Sequence, residues 1–146
     1  MERELIIQST ALTKAYGPHV ALDSLDIKIQ QGATGLLGPN GAGKSTFLKT
    51  ILGLIQLTSG EGEVLGYDIK TQGDKIRQKI GYMPEYDALN PGMEAIHQVR
   101  YSGELIGMNP NVALQRAHQA LEYVGLGEQR YRQVSTFSTG MKQATK

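Results

Sequence analysis

The chain has 146 residues, which is enough for one domain with a buried core but not for two. Its 15 basic and 14 acidic residues leave a net charge of +1, so charge gives no indication of a nucleic-acid partner. The absence of cysteine excludes disulfides and cysteine-bound metals. The absence of any apolar run of about 18 residues argues against direct insertion into a membrane.

Three short segments near the start of the chain have the patterns of β-strands. Residues 4–8 are mainly apolar, and every second residue of 25–30 is apolar, which is typical of a strand with one face in water. A turn then leads to the apolar run 33–37, for which we predict a buried strand.

A glycine-rich segment follows the third predicted strand and matches the pattern G-x-x-x-x-G-K-[ST]. It consists of Gly38, Pro39, Asn40, Gly41, Ala42, Gly43, Lys44, Ser45 and Thr46. Small residues at this spacing let the backbone curl around a triphosphate, so that successive N–H groups point at the phosphate oxygens. In such a loop Lys44 reaches the β- and γ-phosphates, and the Ser45 hydroxyl is placed to ligate Mg²⁺. We therefore predict that the chain binds a nucleoside triphosphate.

The segments after this phosphate loop support the motif. Apolar residues recur at helical spacing in 47–55, which completes the order strand, loop and helix. We predict a short strand at 63–65, a short helix within 73–81 and a further buried strand at 80–83.

Two longer helices are predicted in the second half of the chain. The first covers about 93–106, and the second covers about 110–124, opened by an Asn109 N-cap with Pro110 at its first position. The order of strands, loop and helices predicts an α/β core with an antiparallel side sheet and a helical insertion.

Four segments in a fixed order resemble one family. They are Tyr16-Gly17, the phosphate loop, residues 80–85 (IGYMPE) and residues 137–143 (FSTGMKQ). In this order and at these separations the chain resembles the nucleotide-binding domain of ATP-binding cassette (ABC) transporters, in particular the ATPase subunits of bacterial-type exporters. The resemblance implies an α/β fold. Its parts would be a P-loop NTPase core with a mostly parallel sheet, an antiparallel side sheet and a helical subdomain at about 86–140.

The resemblance assigns roles to residues outside the phosphate loop. Tyr16 would stack its ring on the adenine, which requires only a flat aromatic face. The segment 137–141 would be the signature motif, in which Ser138, Thr139 and Gly140 contact the nucleotide held by the opposite subunit. Ser138 and the Gly140 backbone would reach its γ-phosphate. Taken alone, the same segment is typical of an ordinary helix cap.

The resemblance also implies cofactors and partners. The cofactors would be ATP and Mg²⁺, and the intact form would be a head-to-tail homodimer that holds two ATP molecules. It would dock on membrane-spanning transporter subunits and lie in the cytoplasm, peripheral to the inner face of the cell membrane. ATP binding and hydrolysis would then drive transport, with Lys44 as a catalytic residue.

Two positions depart from the family's pattern. Glu85 stands where the family commonly has a glutamine that helps to ligate Mg²⁺ and relays the nucleotide state to the membrane partner. A carboxylate ligates Mg²⁺ equally well, so we predict Glu85 as a metal ligand together with Ser45. The signature reads Phe-Ser-Thr-Gly-Met in place of the usual LSGGQ, and we interpret it as a functional variant.

One expected segment is missing from the sequence. The family continues beyond the signature with an apolar strand that ends in Asp-Glu, which hold Mg²⁺ and polarise the attacking water. No run of four apolar residues followed by Asp-Glu occurs in the 146 residues. We therefore expect a C-terminally incomplete domain, either a fragment or a truncated reading frame, that binds ATP but hydrolyses little or none alone.

Two alternatives remain open from the sequence. The chain could be a short non-catalytic protein that binds nucleotide, or that pairs with a full-length ABC ATPase and regulates it. A small P-loop kinase is the less favoured alternative, because Arg116, Arg130 and Arg132 show no lid pattern and the signature segment would be unexplained.

Overall fold

The computed structural model describes residues 4–84 and 88–146. The chain forms two compact units, Met1–Gly81 and Tyr82–Lys146. The first unit holds the phosphate loop, and the second holds the segment 137–143. In the described part of the chain, no helix has both the length and the apolar character needed to cross a membrane.

The first unit is built on a sheet of four antiparallel strands in the order β2-β1-β3-β4. The strands are β1 (Leu5–Tyr16), β2 (His19–Gln30), β3 (Ser59–Val64) and β4 (Tyr67–Asp68), and the helices are α1 (Lys44–Ile51) and α2 (Gly73–Arg77). The predicted antiparallel sheet is therefore present, and its first two strands are longer than the apolar pattern indicated.

The hairpin of β1 and β2 has four register shifts, one of which is bridged by side chains. The pairing register shifts after Ser9, whose hydroxyl donates to the Leu25 carbonyl at 2.9 Å and accepts from the Ile27 N–H at 3.2 Å. The Asp26 carboxylate accepts a hydrogen bond from the Ala11 N–H at 2.6 Å. These side chains satisfy backbone groups that the shifted ladder leaves unpaired. The predicted strand at 4–8 ends before this shift, whereas β1 continues past it to Tyr16.

The core of the first unit lies between the sheet and its two helices. Its fully buried members come from both layers and from the turn after β4: Leu12, Leu22, Phe47, Ile51, Val64, Ile69 and Ile76. Burial of each such aliphatic or aromatic side chain contributes about 1.5–3 kcal/mol. This core fixes α1, and therefore the phosphate loop that precedes it, against the hairpin.

Two predicted strands are not formed in the structure. Residues 33–37 and 80–83 carry no strand assignment, and Leu37 is 94% exposed. A buried parallel strand requires a hydrogen-bonding neighbour, and every strand pairing among residues 4–84 and 88–146 is antiparallel. The α/β class is confirmed, whereas the buried strands predicted at 33–37 and 80–83 are wrong, because apolar character alone does not supply a pairing partner.

The C-terminal end of α1 is capped by an arginine from α2. The Arg77 guanidinium donates to the carbonyl oxygens of Leu52, at 3.0 Å, and Gly53, at 3.3 Å. Arg77 also pairs with Asp74 on its own helix. Helix C-termini leave carbonyl groups without partners and carry partial negative charge. A guanidinium at this position supplies the missing hydrogen bonds and is also attracted by that charge.

The turn that leads from β4 to α2 is organised by one carboxylate. Asp68 Oδ1 accepts hydrogen bonds from the Thr71 hydroxyl and N–H, both at 2.8 Å, and from the Lys70 N–H at 3.0 Å. These bonds favour the charged form, so the Thr71 hydroxyl first and then the backbone N–H groups lower the pKa of Asp68 below its usual value.

The second unit is helical. It contains α3 (Ala95–Leu105), α4 (Pro110–Tyr123), two 3₁₀ turns (Gly127–Tyr131 and Val134–Thr136) and α5 (Thr139–Thr145). The predicted start of α4 is confirmed, because the Asn109 side chain accepts a hydrogen bond from the Asn111 N–H at 3.0 Å and Pro110 is the first helical residue. Its core includes Ala95, Ile96, Ala117, Leu121, Leu126, Val134 and Phe137.

We predict that Arg77→Met destabilises the first unit by about 1–2 kcal/mol, because two carbonyls at the end of α1 lose a charged donor. Urea unfolding of the variant and the wild type measures the difference. Arg116→Met is the matched control, since Arg116 bonds only the Gln119 side chain among the described residues and lies on α4. Equal effects of the two substitutions would contradict the capping role of Arg77.

We predict that Asp68 makes stability depend on pH in the acid range. Because its folded pKa is lowered, its contribution is fully present above the unfolded value of about 3.9 and is lost as pH falls through the folded pKa. Asp68→Asn keeps an acceptor oxygen but cannot titrate, so the difference in unfolding free energy between wild type and variant should shrink below pH 4. A carboxyl NMR titration that gives Asp68 an ordinary pKa would refute this.

Candidate functional site

The phosphate loop joins the exposed segment 33–37 to helix α1. Gly38, Gly41 and Gly43 have φ values of 156°, 84° and 81°, in the region that L side chains rarely adopt. The first helical hydrogen bond runs from the Phe47 N–H to the Gly43 carbonyl at 2.8 Å. The N–H groups of the first turn of α1 precede that bond and have no partner one turn earlier in the helix, so they are available to an anion.

The junction between loop and helix lies directly against strand β2. A Cβ atom at Gly43 would sit 2.3 Å from the Ala21 carbonyl oxygen and 3.0 Å from a methyl group of Leu22. No side chain fits in that space, so the sequence motif requires glycine here for packing as well as for its left-handed backbone. The contact fixes where α1 begins relative to the sheet.

Lys44 is the first residue of α1, and its side chain turns back over the loop. The ammonium donates hydrogen bonds to the Gly38 carbonyl at 2.6 Å and to the Pro39 carbonyl at 2.7 Å. Lys44 is partly exposed, so solvent and ligands reach it. The loop therefore holds one positive charge against its own backbone, beside the first turn of α1. The contact of Lys44 with the β- and γ-phosphates remains a prediction.

Ser45 is exposed on the first turn of α1, beside Lys44. Among the residues that the structure describes, no three His, Asp or Glu side chains form a group that could hold a metal by themselves. Mg²⁺ commonly binds through one or two protein oxygens together with substrate phosphates. A single hydroxyl at this position fits a Mg²⁺ ion that arrives with a nucleotide. Glu85, the second predicted ligand, lies outside the described residues.

The remaining loop residues differ in exposure. Pro39, Asn40, Gly41 and Ala42 are exposed, whereas Thr46 is partly buried. The next residues of α1 anchor the helix, because Phe47, Thr50 and Ile51 are buried against the sheet. The loop is therefore accessible to solvent, whereas the helix that follows it is anchored in the core by apolar side chains.

Tyr16 is the last residue of β1 and is 47% exposed. It pairs with His19 across the two-residue turn of the hairpin. His19 is two residues before Ala21, the residue that touches the phosphate loop, and two residues of a strand span about 6.6 Å. The hairpin therefore places the aromatic ring and the loop at the same end of the first unit.

One neighbour of the Tyr16 ring, Lys14, was not predicted from the sequence. The Lys14 ammonium lies over the Tyr16 ring, 4.8 Å from its centroid. The available signal was the spacing, because residues i and i+2 of a strand project to the same face. A cation within about 6 Å of a ring centroid is attracted by the electrons of its face.

The signature residues belong to the second unit. The buried ring of Phe137 anchors the segment in the helical core, and Ser138 is the N-cap of α5. The Ser138 hydroxyl accepts a hydrogen bond from the Met141 N–H at 3.3 Å. Thr139 and Gly140 form the exposed first turn of that helix. The structure thus shows the helix cap, and the role of these residues toward a nucleotide remains a prediction.

The family comparison covers most of the chain. The ABC transporter family profile matches residues 22–146. The linearmycin resistance ATP-binding protein LnrL of Bacillus subtilis is 40% identical over 138 residues, which are 94% of this chain and 44% of that protein. The bacitracin transport ATP-binding protein BcrA of Bacillus licheniformis is 37% identical over 139 residues, with the same two coverages.

A solved structure supports the fold. The cbiO1 protein of Clostridium perfringens, described as part of the ABC transporter complex cbiONQ, superposes with a TM-score of 0.80 at 22% identity. The alignment covers 97% of this chain and 59% of that one. The chain spans less than half the length of the two curated relatives named above. Because the family profile covers residues 22–146 and includes the phosphate loop and the signature segment, the chain belongs to the ABC transporter family.

Proposed function

We propose that this chain is an ATP-binding part of an ABC transporter and binds ATP together with Mg²⁺. The observation that carries the proposal is the phosphate loop, in which the Lys44 ammonium is held 2.6 and 2.7 Å from two loop carbonyls in front of the first turn of α1. A triphosphate fits this arrangement because N–H groups, a helix N-terminus and one nearby cation all favour an anion.

Each loop residue has a part in binding. The backbone of residues 38–46 surrounds the phosphates, and Lys44 bonds the β- and γ-phosphate oxygens by leaving its two loop carbonyls. Ser45 contributes its hydroxyl to Mg²⁺, whose charge would offset that of the phosphates. Glu85 is a candidate for a second metal oxygen. Tyr16 stacks on the adenine from the end of the hairpin, which the close spacing of Tyr16, Ala21 and the loop supports.

The signature segment acts on a second nucleotide. Ser138, Thr139 and Gly140 lie at the start of α5, where the hydroxyl and N–H groups of a helix N-terminus attract an anion. In a head-to-tail homodimer these groups would contact the γ-phosphate bound by the opposite subunit. The burial of Phe137 supports this proposal, because it holds the segment in one position on the helical unit.

The proposed role in transport implies membrane-spanning partner subunits. LnrL is named for resistance and BcrA for bacitracin transport, and cbiO1 is part of a transporter complex. By this relationship the intact protein docks on membrane-spanning subunits from the cytoplasmic side, at the inner face of the cell membrane. It then couples ATP binding and hydrolysis to movement of a solute.

Hydrolysis needs more than the loop supplies. A water molecule must be oriented for attack on the γ-phosphate. In ABC ATPases, a glutamate that follows an apolar strand orients this water. The 146 residues contain no apolar run followed by Asp-Glu. We therefore propose that these residues, assayed alone, bind ATP and turn it over little or not at all.

We predict that Lys44→Ala weakens ATP binding about ten- to a hundredfold, because the phosphates lose a charged hydrogen-bond donor. Isothermal titration calorimetry with ATP and Mg²⁺ measures this. Lys49→Ala is the matched control, since it removes the same charge from the exposed last turn of the same helix. If Lys49→Ala weakens binding as much as Lys44→Ala, the interaction is only a diffuse attraction of charges and the site assignment is wrong.

We predict that phosphate release from ATP by the 146-residue chain equals that of its Lys44→Ala variant. A coupled phosphate assay at saturating ATP and Mg²⁺ makes the comparison, with calorimetry to verify that the wild type is loaded. Turnover by the wild type that Lys44→Ala abolishes would show that another group in the chain orients water, and the proposed lack of hydrolysis would fail.

A further inference from the structure

The hairpin end of the first unit holds a cation and an aromatic ring in contact. The Lys14 ammonium is 4.8 Å from the centroid of the Tyr16 ring, and both residues are on β1. Among residues 4–84 and 88–146, Lys14 forms no ion pair with a carboxylate. The ring is therefore the contact that positions this ammonium in the described part of the chain.

The backbone around the pair belongs to the paired part of the hairpin. Tyr16 and His19 close the hairpin, and Gly17 takes the first turn position with a φ of 58°, which the tight connection requires. Lys14 pairs with Leu22, a buried residue of the core that also touches Gly43. Lys14 and Tyr16 both pair with β2, on either side of a register shift, and their side chains are the more mobile part of the pair.

An aromatic ring has two faces, and the ammonium uses one of them. Tyr16 is 47% exposed, so much of the ring surface remains in contact with solvent. A ring that is free to rotate loses conformational entropy when a base stacks on it, and a contact that holds the ring beforehand reduces that loss.

We propose that Lys14 is a positioning residue for nucleotide binding: its ammonium holds the Tyr16 ring on one face so that a purine base stacks on the other. The inference rests on the proposed function, because it takes Tyr16 as the base-stacking residue. It adds that base affinity depends on a cation two residues away that does not touch the phosphates.

The test compares a ligand with a base and a ligand without one. Calorimetry gives Kd values for ATP and for inorganic tripolyphosphate, each with Mg²⁺, for the wild-type chain and for Lys14→Met. A cation–π contact at an exposed site contributes enough to change affinity about two- to fivefold. We expect Lys14→Met to weaken ATP binding by that factor and to leave tripolyphosphate binding unchanged.

Three further variants isolate the contact. Lys14→Arg keeps a cation over the ring and should bind ATP as the wild type does. Lys14→Met in a Tyr16→Ala background should have no additional effect, because the ring is gone. Lys28→Met is the control for loss of charge, since Lys28 is exposed on β2 and pairs with Gln8, away from the hairpin turn.

Several outcomes would overturn the inference. Equal weakening of ATP and tripolyphosphate would mean that Lys14 acts on the phosphates as a charge. Tighter ATP binding by Lys14→Met would mean that the ammonium competes with the base for the same face, and unchanged ATP binding would mean that the contact contributes nothing. If the wild type binds neither ligand and Lys44→Ala matches it, the proposed function itself fails, and this inference fails with it.

Discussion

The contact between Gly43 and strand β2 is the constraint on which the site depends. The backbone at Gly43 approaches the Ala21 carbonyl so closely that an added Cβ would be 2.3 Å from the oxygen. This approach determines the position at which α1 starts, and thereby where its first-turn N–H groups and the Lys44 ammonium lie. The buried side chains of Phe47 and Ile51 then hold the helix in that position. The packing of the core and the geometry of the loop therefore both depend on Gly43, a residue without a side chain.

Strand β2 has a second role, because it also supports Tyr16 through the hairpin. The residue that pairs with Tyr16 and the residue that touches the loop are separated by a single position on this strand. A strand is stiff over so short a distance, and the Ser9 and Asp26 hydrogen bonds keep its irregular part ordered. The separation between Tyr16 and the phosphate loop is therefore set by a short segment of β2, in which the register shifts once, at Ala21.

The features that could be predicted from the sequence are those that depend on local chemistry. The phosphate loop is recognised by glycine spacing, and the start of α4 is recognised by Asn109 and Pro110, because each pattern depends only on residues that are adjacent in sequence. The buried strand at 33–37 could not be judged in the same way, since a strand exists only with a partner distant in sequence. The Arg77 cap on α1 joins residues 24 and 25 positions apart, and no local pattern indicates it. Ser138 has the features of a helix cap and of an anion contact at once, so its pattern alone does not separate the two.

The unequal support of the two ends of the phosphate loop has a consequence for affinity. Downstream, α1 is packed, capped by Arg77 and pressed against β2, whereas upstream the segment 33–37 has no ladder and Leu37 is 94% exposed. A chain anchored on one side samples more arrangements than a chain anchored on both. The observed affinity for a phosphate ligand equals the intrinsic affinity multiplied by the population of the competent arrangement. A partner that held residues 33–37 in the competent arrangement would therefore raise the affinity for that ligand without touching it.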